Sequence, residues 1–295
     1  MKRNLFIGID GGGTKCKVRI EDEKEQLIGV ARGGPANISV STETAWTSIL
    51  DAMKTALKDS GIRWQDPTYE WHAGLGLAGT ENKHAVKTFL AYNPFTTLKL
   101  ESDAYTACLG AHDAQDGAII IIGTGVIGMS IHGKQITRVG GWGFPCSDEG
   151  SGAWLGFEAV RLTIQAFDGR IESSPLLEAI FQKFDRDIFE LVSWAVASKS
   201  THFAEIAPFV IQHLDQKDPW AVHLVKRAAS EIDRLAETMF TRSKNNQLPC
   251  CLFGGLAPFI EPWLGKTLQA RLTFRKNDAN KGAIFMIKKH IGFSK

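Results

Sequence analysis

The chain has 295 residues, about twice the length of a common single domain, so two domains are expected. Its 34 basic and 32 acidic residues give a formal net charge of +2 at pH 7, and 44% of its residues are hydrophobic. This composition is typical of a globular protein. A charge so close to zero, with no basic block, argues against nucleic acid or an anionic membrane as the main partner.

The sequence also argues against membrane insertion and export. The longest uncharged run near its middle, residues 117–131, spans 15 positions and is interrupted by glycines, so it is too short for a transmembrane helix. The start of the chain lacks the apolar core of a signal peptide. The five cysteines are an odd number without a C-x-x-C pair, which predicts reduced thiols and a cytoplasmic protein.

Strand and helix patterns alternate through the first 115 residues. A helix is predicted after Ser41 or Thr42, with apolar residues at helical spacing from Trp46 to Leu57. The resulting order, βββαβαβα, indicates an α/β domain. Apolar or alternating runs predict strands at 5–10, 15–20, 26–31, 69–77 and 95–101. Further segments with helical periodicity predict helices at 81–92 and 104–112.

The second half opens on the same kind of pattern. A buried strand at 118–122, a Gly-Thr-Gly turn and a strand at 129–131 repeat the strand–loop–strand arrangement of 5–20, which suggests two related halves. After Gly150 the pattern is helical for nearly 100 residues. Helices are predicted to start near Pro175, Pro208 and Pro219. The remaining predicted elements are a strand ending at Gly254-Gly255, a strand at 271–274 and a last helix at 279–290.

Three glycine patterns match nucleotide-binding motifs at first sight. Residues 8–15 have the spacing of a P-loop, but the order is Gly-Thr-Lys and a strand follows instead of a helix. Residues 123–128 match G-x-G-x-x-G, and again a strand follows. Residues 74–79 match the same fingerprint before a predicted helix, and Glu101 ends a strand 22 residues beyond Gly79. An NAD-dependent oxidoreductase therefore stays an alternative.

The loop after the first strand carries groups that bind phosphate and metal. Glycines let backbone N–H groups approach phosphate oxygens, a threonine hydroxyl adds a donor, and the Asp10 carboxylate can hold hydrated Mg²⁺. The Gly-Thr-Gly turn at 123–125 can bind the same phosphates. For either loop alone, an ordinary glycine hairpin is the competing interpretation.

Three motifs, in this order, resemble the phosphate-1, phosphate-2 and adenosine motifs of the sugar kinase/actin/Hsp70 superfamily. They are Ile9-Asp10-Gly11-Gly12-Gly13-Thr14, Ile122-Gly123-Thr124-Gly125 and Phe253-Gly254-Gly255. Along nearly its whole length the chain resembles the BadF/BadG N-acetylglucosamine kinase-like branch. Further matching segments are Gly33-Gly34-Pro35-Ala36-Asn37, Ser102-Asp103-Ala104-Tyr105, Gly140-Gly141-Trp142-Gly143 and Ser147-Asp148-Glu149-Gly150-Ser151-Gly152.

The resemblance implies an α/β fold of two actin-like (ribonuclease H-like) domains around a cleft, with mixed sheets, flanking helices and extra helices in the second half. The N-terminal domain would comprise 1–115, on the sugar and phosphate side, with a C-terminal helix at 279–295 packing back on it. The C-terminal domain would comprise 116–278, on the nucleotide side. A homodimer is compatible with this resemblance, and the sequence does not decide it.

The resemblance also implies ATP and Mg²⁺ as cofactors, with Asp10 holding the metal through water. Asp103 takes the place of the general base that removes the proton of the sugar 6-hydroxyl. The implied phosphate and nucleotide residues are Asp10, Gly11, Gly12, Gly13, Thr14, Lys15, Gly123, Thr124, Gly125, Gly254 and Gly255. The implied sugar residues are Asn37, Asp103, Thr124, Gly125, Trp142 and Asp148.

Four of these residues have simpler interpretations. Asp103 and Asp148 also fit helix N-caps, Asn37 fits a turn, and Trp142 fits a core position. The order of the motifs favours the functional interpretation of Asp103. Val126 and Ile127, after the second turn, depart from the polar residues of eukaryotic-type members.

The expected function is an ATP-dependent kinase that converts N-acetyl-D-glucosamine to its 6-phosphate, with D-glucosamine as the alternative acceptor. Asn37 beside apolar neighbours, and Trp142 with Phe144, suit a neutral acetamide. An activator ATPase of the same branch would need cluster cysteines, and no suitable pair exists. A sugar-responsive regulator is disfavoured because no helix-turn-helix precedes the first strand.

Overall fold

The computed structural model describes residues 2–293, which divide into two compact units. The first unit comprises residues up to Gly117 together with the C-terminal segment from Phe274, and the second comprises Ala118–Thr273. The resemblance predicted these boundaries at 115/116 and 278/279, whereas the structure also assigns residues 116–117 and 274–278 to the first unit. Position 1 and the last two positions of the helix predicted at 279–295 lie outside the described residues.

The first unit has the predicted βββαβαβα order, and the last helix of the chain joins it. Its sheet has the strand order β3-β2-β1-β4-β5, in which β1 runs parallel to β4 and antiparallel to β2. The elements are β1 (Arg3–Gly11), β2 (Cys16–Asp22), β3 (Leu27–Gly33), α1 (Thr42–Leu57), β4 (Tyr69–Leu77), α2 (Lys83–Leu90), β5 (Thr97–Ser102), α3 (Asp103–Ala111) and, after the second unit, α12 (Ala279–His290).

Helices cover the sheet because their apolar stripes need burial. Helix α1 buries Trp46, Ile49 and Met53 against β2 and β3, and Ser41 caps it by accepting a hydrogen bond from the Thr44 N–H. Helices α3 and α12 pack against each other, and α12 also lies on β1 and β4. This packing brings the start of α12 to the β1–β2 hairpin.

The glycines of β4 are packing positions. A side chain at Gly74 would collide with the backbone of Ala283 in α12, and one at Gly76 would collide with Thr106 in α3. Both glycines lie inside β4 and not in the strand-to-helix turn that would bind a pyrophosphate, so the dinucleotide-binding alternative for this segment is wrong.

The second unit contains a four-stranded mixed sheet and most of the helices. Its strand order is β8-β7-β6-β9, with β6 parallel to β9 and β7 antiparallel to β8. The elements are β6 (Gly117–Ile122), β7 (Val126–His132), β8 (Gln135–Gly140), α4 (Gly152–Phe167), α5 (Pro175–Lys183), α6 (Ile188–Ala197), α7 (Ser200–Ala204), α8 (Ala207–Leu214), α9 (Pro219–Arg242), β9 (Cys250–Phe253), α10 (Ala257–Ile260), a 3₁₀ turn (Glu261–Trp263) and α11 (Lys266–Gln269).

The predicted α/β class with mixed sheets, flanking helices and extra helices in the second half is confirmed. The predicted proline-led helix starts are also confirmed, because Pro175, Pro208 and Pro219 each lie in the first turn of a helix.

Two local predictions about strands were wrong. Strand β8 was not predicted, because it is an edge strand whose Ile136 is exposed while its Thr137 is buried, which inverts the usual alternation. The strand predicted at 271–274 is reduced to one bridge between Leu272 and Cys250, and Phe274 is exposed to solvent.

No helix within residues 2–293 has both the length and the apolarity needed to cross a membrane. All five cysteines are free, and Cys146 is the exposed one among them.

Candidate active site

The first glycine loop is the turn between β1 and β2. It is closed by a hydrogen bond of 3.0 Å from the Gly12 N–H to the Lys15 carbonyl. A side chain at Gly11 would collide with Ala36 and Leu77, whereas Gly12 and Gly13 face open space. Gly12 and Gly13 therefore present bare backbone to any ligand that approaches the turn.

Asp10 lies at the end of β1 beside this turn, in a region rich in carboxylates. Burial, together with the negative charges of Asp103 and Asp278, raises the pKa of Asp10 to about 6, while Lys17 and Lys15 act in the opposite direction. All five of these residues line one cavity of about 410 Å³ in the first unit. The sequence pattern predicted Asp10, Asp103 and Lys15 as site residues, and the structure brings them together.

The donor set of this cavity fits a hydrated magnesium ion. Crowded, partly buried carboxylates repel one another, and a divalent cation would relieve that repulsion. Within residues 2–293 no three or more His, Cys, Asp or Glu residues converge as a metal site. Mg²⁺ retains several waters and is commonly held by one or two carboxylates, so Asp10 can serve in this way.

Asp103 is the first residue of α3, one position inside the helix. The cap is Ser102, whose hydroxyl oxygen accepts a hydrogen bond of 3.2 Å from the Tyr105 N–H. One carboxylate oxygen of Asp103 accepts a hydrogen bond of 2.8 Å from the Ala104 N–H. The N-cap interpretation of Asp103 is therefore wrong, and its carboxylate borders the same cavity as Asp10.

Sequence reasoning missed the part of this cavity that the C-terminal segment and β3 provide. Arg275 and Asp278, which precede α12, and Asn280, in its first turn, line the cavity, and Arg32 lines it from β3. Asn280 is buried, and its amide nitrogen donates to the Gly8 carbonyl at 3.0 Å and to the Lys17 carbonyl at 2.6 Å. Its carbonyl oxygen is buried without a hydrogen-bond partner. Asp278 directly precedes the predicted helix at 279–290, so the sequence could have indicated a helix cap there, but a cap says nothing about proximity to Asp10.

The second glycine loop is the turn between β6 and β7 in the second unit. The Gly123 N–H donates to the Gly125 carbonyl at 2.9 Å. At the start of α4, the Gly152 N–H donates to the Gly123 carbonyl at 2.8 Å, and the Ala153 N–H donates to the Thr124 carbonyl at 3.1 Å. The first turn of α4 thus fixes the loop, and Thr124 is exposed on it.

Asp148 supports the second glycine loop from its other side. It is buried with a φ of +75°, and its carboxylate oxygen accepts a hydrogen bond of 3.3 Å from the Val126 N–H. Burial, with Glu149 nearby, raises its pKa, although the Val126 N–H lowers it. The helix-cap interpretation of Asp148 is wrong, because Ser151 caps α4.

The predicted adenosine motif lies at the end of β9. A side chain at Gly254 would collide with the Ile122 backbone, and the residue has a φ of +96°, so glycine is required there. Gly255 faces open space. The end of β9 therefore lies directly beside the end of β6 and leaves Gly255 accessible.

The two remaining sugar candidates lie in exposed or half-buried loops. Trp142 is 70% exposed, and the Arg138 guanidinium lies 4.3 Å from its ring centroid, so it is not a core residue. The Asn37 side-chain oxygen accepts hydrogen bonds from the backbone and hydroxyl of Ser39, at 3.0 and 2.7 Å. Asn37 thus forms the turn that the simpler interpretation expected, and its side-chain oxygen is used within that turn.

Known proteins resemble this chain in sequence and structure. Residues 7–264 match the BadF/BadG/BcrA/BcrD ATPase family. The chain is 35% identical to glucosamine kinase GspK of Vibrio cholerae over 95% of both chains. It is 26% identical to N-acetyl-D-glucosamine kinase of Dictyostelium discoideum over 86% of both chains. A solved structure from Chromobacterium violaceum, provisionally assigned as an N-acetylglucosamine kinase, superposes with a TM-score of 0.86 at 32% identity, covering 97% of this chain and 99% of that one.

The fold, with two mixed sheets and flanking helices, is that of the two-domain, actin-like sugar kinases. The chain belongs to the BadF/BadG/BcrA/BcrD ATPase family. The resemblance noted in the sequence and the prediction of a sugar kinase are confirmed by this family and these relatives.

Proposed function

We propose that the protein is an ATP-dependent hexosamine kinase that phosphorylates the 6-hydroxyl of its sugar. The observation that carries this proposal is the cavity of the first unit, where Asp103 and Asp10 lie beside an open glycine turn. A base, a metal-binding carboxylate and bare backbone N–H groups are the parts that phosphoryl transfer requires.

In this proposal Asp103 accepts the proton of the 6-hydroxyl as that oxygen attacks the γ-phosphorus of ATP and ADP leaves. The backbone N–H group of Gly13, with the Thr14 hydroxyl, would bind phosphate oxygens, which could approach closely because Gly12 has no side chain, and Lys15 would add positive charge. Mg²⁺ held through water at Asp10 would supply neutralisation of phosphate charge. In the second unit, the turn from Gly123 to Gly125 would also bind phosphate, and Gly254 and Gly255 would accommodate the adenosine.

Two hexosamines are candidates, and a separate observation supports each. D-Glucosamine takes first place, because the Vibrio cholerae relative is a glucosamine kinase and aligns over 95% of both chains. The exposed Glu149 beside Asp148 could pair with the ammonium group of that sugar. N-Acetylglucosamine, the sequence-based expectation, is supported by Asn37, whose amide can donate to an acetamide carbonyl, and by the exposed Trp142 ring.

A coupled ADP-release assay with glucosamine, N-acetylglucosamine, glucose and no sugar tests the proposal. A hexosamine kinase releases ADP in proportion to hexosamine, and the preferred sugar should exceed the other by at least about 10-fold in kcat/KM. A higher kcat/KM with N-acetylglucosamine than with glucosamine would make N-acetylglucosamine the first candidate. Equal ADP release with and without sugar would reject the kinase and favour an activator-type ATPase.

A further inference from the structure

Lys17 lies directly opposite Asp10 in the β1–β2 hairpin. The two residues are register partners in the antiparallel pair, so their side chains leave the same face of the sheet. Opposed residues in such a pair have Cβ atoms about 4.5–5.5 Å apart, close enough for an aspartate and a lysine to form an ion pair. An Asp10–Lys17 pair is therefore the arrangement that the hairpin alone would favour.

The structure shows a different pairing. The Lys17 ammonium donates to the carboxylate of Asp278 at 2.5 Å, and that carboxylate comes from the start of α12. The other Asp278 oxygen accepts a hydrogen bond of 3.1 Å from the Lys281 N–H, as the cap of this helix. These contacts lower the pKa of Asp278 although burial alone would raise it, so this carboxylate is charged at neutral pH.

Further contacts hold the start of α12 in this position. The buried Asn280 amide bridges the carbonyls of Gly8 and Lys17, which belong to the two strands of the same hairpin. The Lys281 ammonium pairs with the buried Glu21 carboxylate at 2.6 Å. Asp278 is thus fixed relative to the hairpin and does not depend on Lys17 for its place.

We propose that Asp278 is a positioning residue that holds Lys17 away from Asp10 and so keeps the Asp10 carboxylate available for a hydrated metal ion. This inference rests on the metal-binding role of Asp10 in the proposed function. Without Asp278, the Lys17 ammonium turns to the opposed Asp10 and competes with the metal for the same oxygens. The harmful group in that case is Lys17, so removing Lys17 as well restores the site.

The competing explanation is that the Lys17–Asp278 ion pair serves only to hold α12 against β2. The pair of Lys288 with Glu25, at 3.2 Å, provides a control because it ties the same helix to the turn between β2 and β3. Neither residue borders the cavity that contains Asp10. Lys288→Met should lower stability without changing metal-dependent nucleotide binding.

Calorimetry without sugar tests the inference independently of turnover. The measured quantity is the ratio of the Kd for ADP in chelator to the Kd for Mn²⁺·ADP, determined for each variant. Asp278→Asn retains a helix-capping side chain and should reduce this ratio by about 10-fold, as expected when one charge pair replaces another. In the double variant Asp278→Asn/Lys17→Met, this ratio should recover to within about 3-fold of its value in the unmodified protein. A 3-fold change corresponds to about half of the free energy of a 10-fold change.

Three results would overturn the inference: an unchanged ratio in Asp278→Asn, no recovery in the double variant, or a reduced ratio in Lys17→Met alone. Asp10→Asn separates this failure from that of the proposed function. If Asp10→Asn leaves the ratio unchanged, the metal role of Asp10 is wrong. If Asp10→Asn abolishes the metal dependence while Asp278→Asn has no effect, only the role of Asp278 is wrong.

Discussion

Ser102 caps helix α3, and Asp103 follows it as the first helical residue. The Ser102 hydroxyl oxygen accepts the hydrogen bond from Tyr105 that an N-cap aspartate would otherwise accept. The Asp103 carboxylate therefore lies on the first turn of the helix and borders the cavity of Asp10 without being needed as the cap. An acidic residue there is also favoured by the helix dipole.

Asp103→Asn should lower kcat by roughly 10²–10⁴-fold, the usual contribution of a general base, with little change in sugar affinity. Steady-state kinetics and sugar binding by calorimetry measure the two effects. Asn82→Ala is the matched control, because Asn82 caps α2 through the His84 and Ala85 N–H groups. It should cost about 1 kcal/mol in unfolding free energy and leave kcat unchanged. A kcat for Asp103→Asn close to that of this control would show that Asp103 acts only on the helix.

Activity should fall as the pH drops through about 6, the raised pKa of Asp10, because the protonated carboxyl no longer holds the metal. The acid limb of kcat/KM at limiting Mg²⁺ measures this dependence. Excess Mg²⁺ should move the limb to lower pH, since the metal competes with the proton. A limb that does not respond to Mg²⁺ would assign the titration to another group.

The stability of the metal-free protein should change with pH in the opposite direction to activity, falling as the pH rises. The pKa of Asp10 is higher in the folded chain, at about 6, than its ordinary value of 3.8, so the folded state binds the proton more tightly. Ionisation of Asp10 therefore lowers the free energy of unfolding, and this loss grows as the pH rises from about 4 to about 6. Asp10→Asn should raise the Tm of the metal-free protein at pH 7.5, and the gain should shrink at pH 4.5. An equal gain at both pH values would mean that the Asp10 charge is not the source of the lost stability.

Gly11→Ala and Gly12→Ala should separate packing from ligand binding in the first glycine turn. An added methyl at Gly11 collides with Ala36 and Leu77, so a loss of about 1–3 kcal/mol in unfolding free energy is expected. At Gly12 the methyl enters open space, so the Tm should be retained while the KM for ATP rises. Thermal melts and ATP titrations measure both. An unchanged KM for Gly12→Ala would remove this turn from the phosphate site.

Trp142→Ala should raise the KM for the sugar several-fold with little change in Tm. The ring is 70% exposed, and surface substitutions usually alter stability by less than about 0.5 kcal/mol. Phe189→Ala is the control, since Phe189 is 83% exposed and lies on α6, outside the loops proposed to bind the sugar. If both variants leave the sugar KM unaltered, Trp142 is not a wall of the sugar site.

The sequence by itself determined the element order and the type of chemistry. Apolar periodicity predicted the βββαβαβα order of the first unit, because local burial patterns reflect which face of each element is covered. The glycine turns were also predicted locally, since Gly11 to Thr14 and Gly123 to Gly125 follow directly after buried strands. Where local alternation was inverted or weak, as in β8 and at 271–274, the prediction failed.

Tertiary structure alone decided which charges surround Asp10. Lys17 and Asp278 are separated by 261 positions in the chain, and no local pattern indicates that they form an ion pair. Their pairing depends on how α12 packs across β1 and β4, where glycines allow close approach. Side-chain periodicity specifies the face of an element that is buried, but the partner on that face is set by packing between distant segments. The carboxylates that raise the pKa of Asp10 become neighbours only in the folded chain.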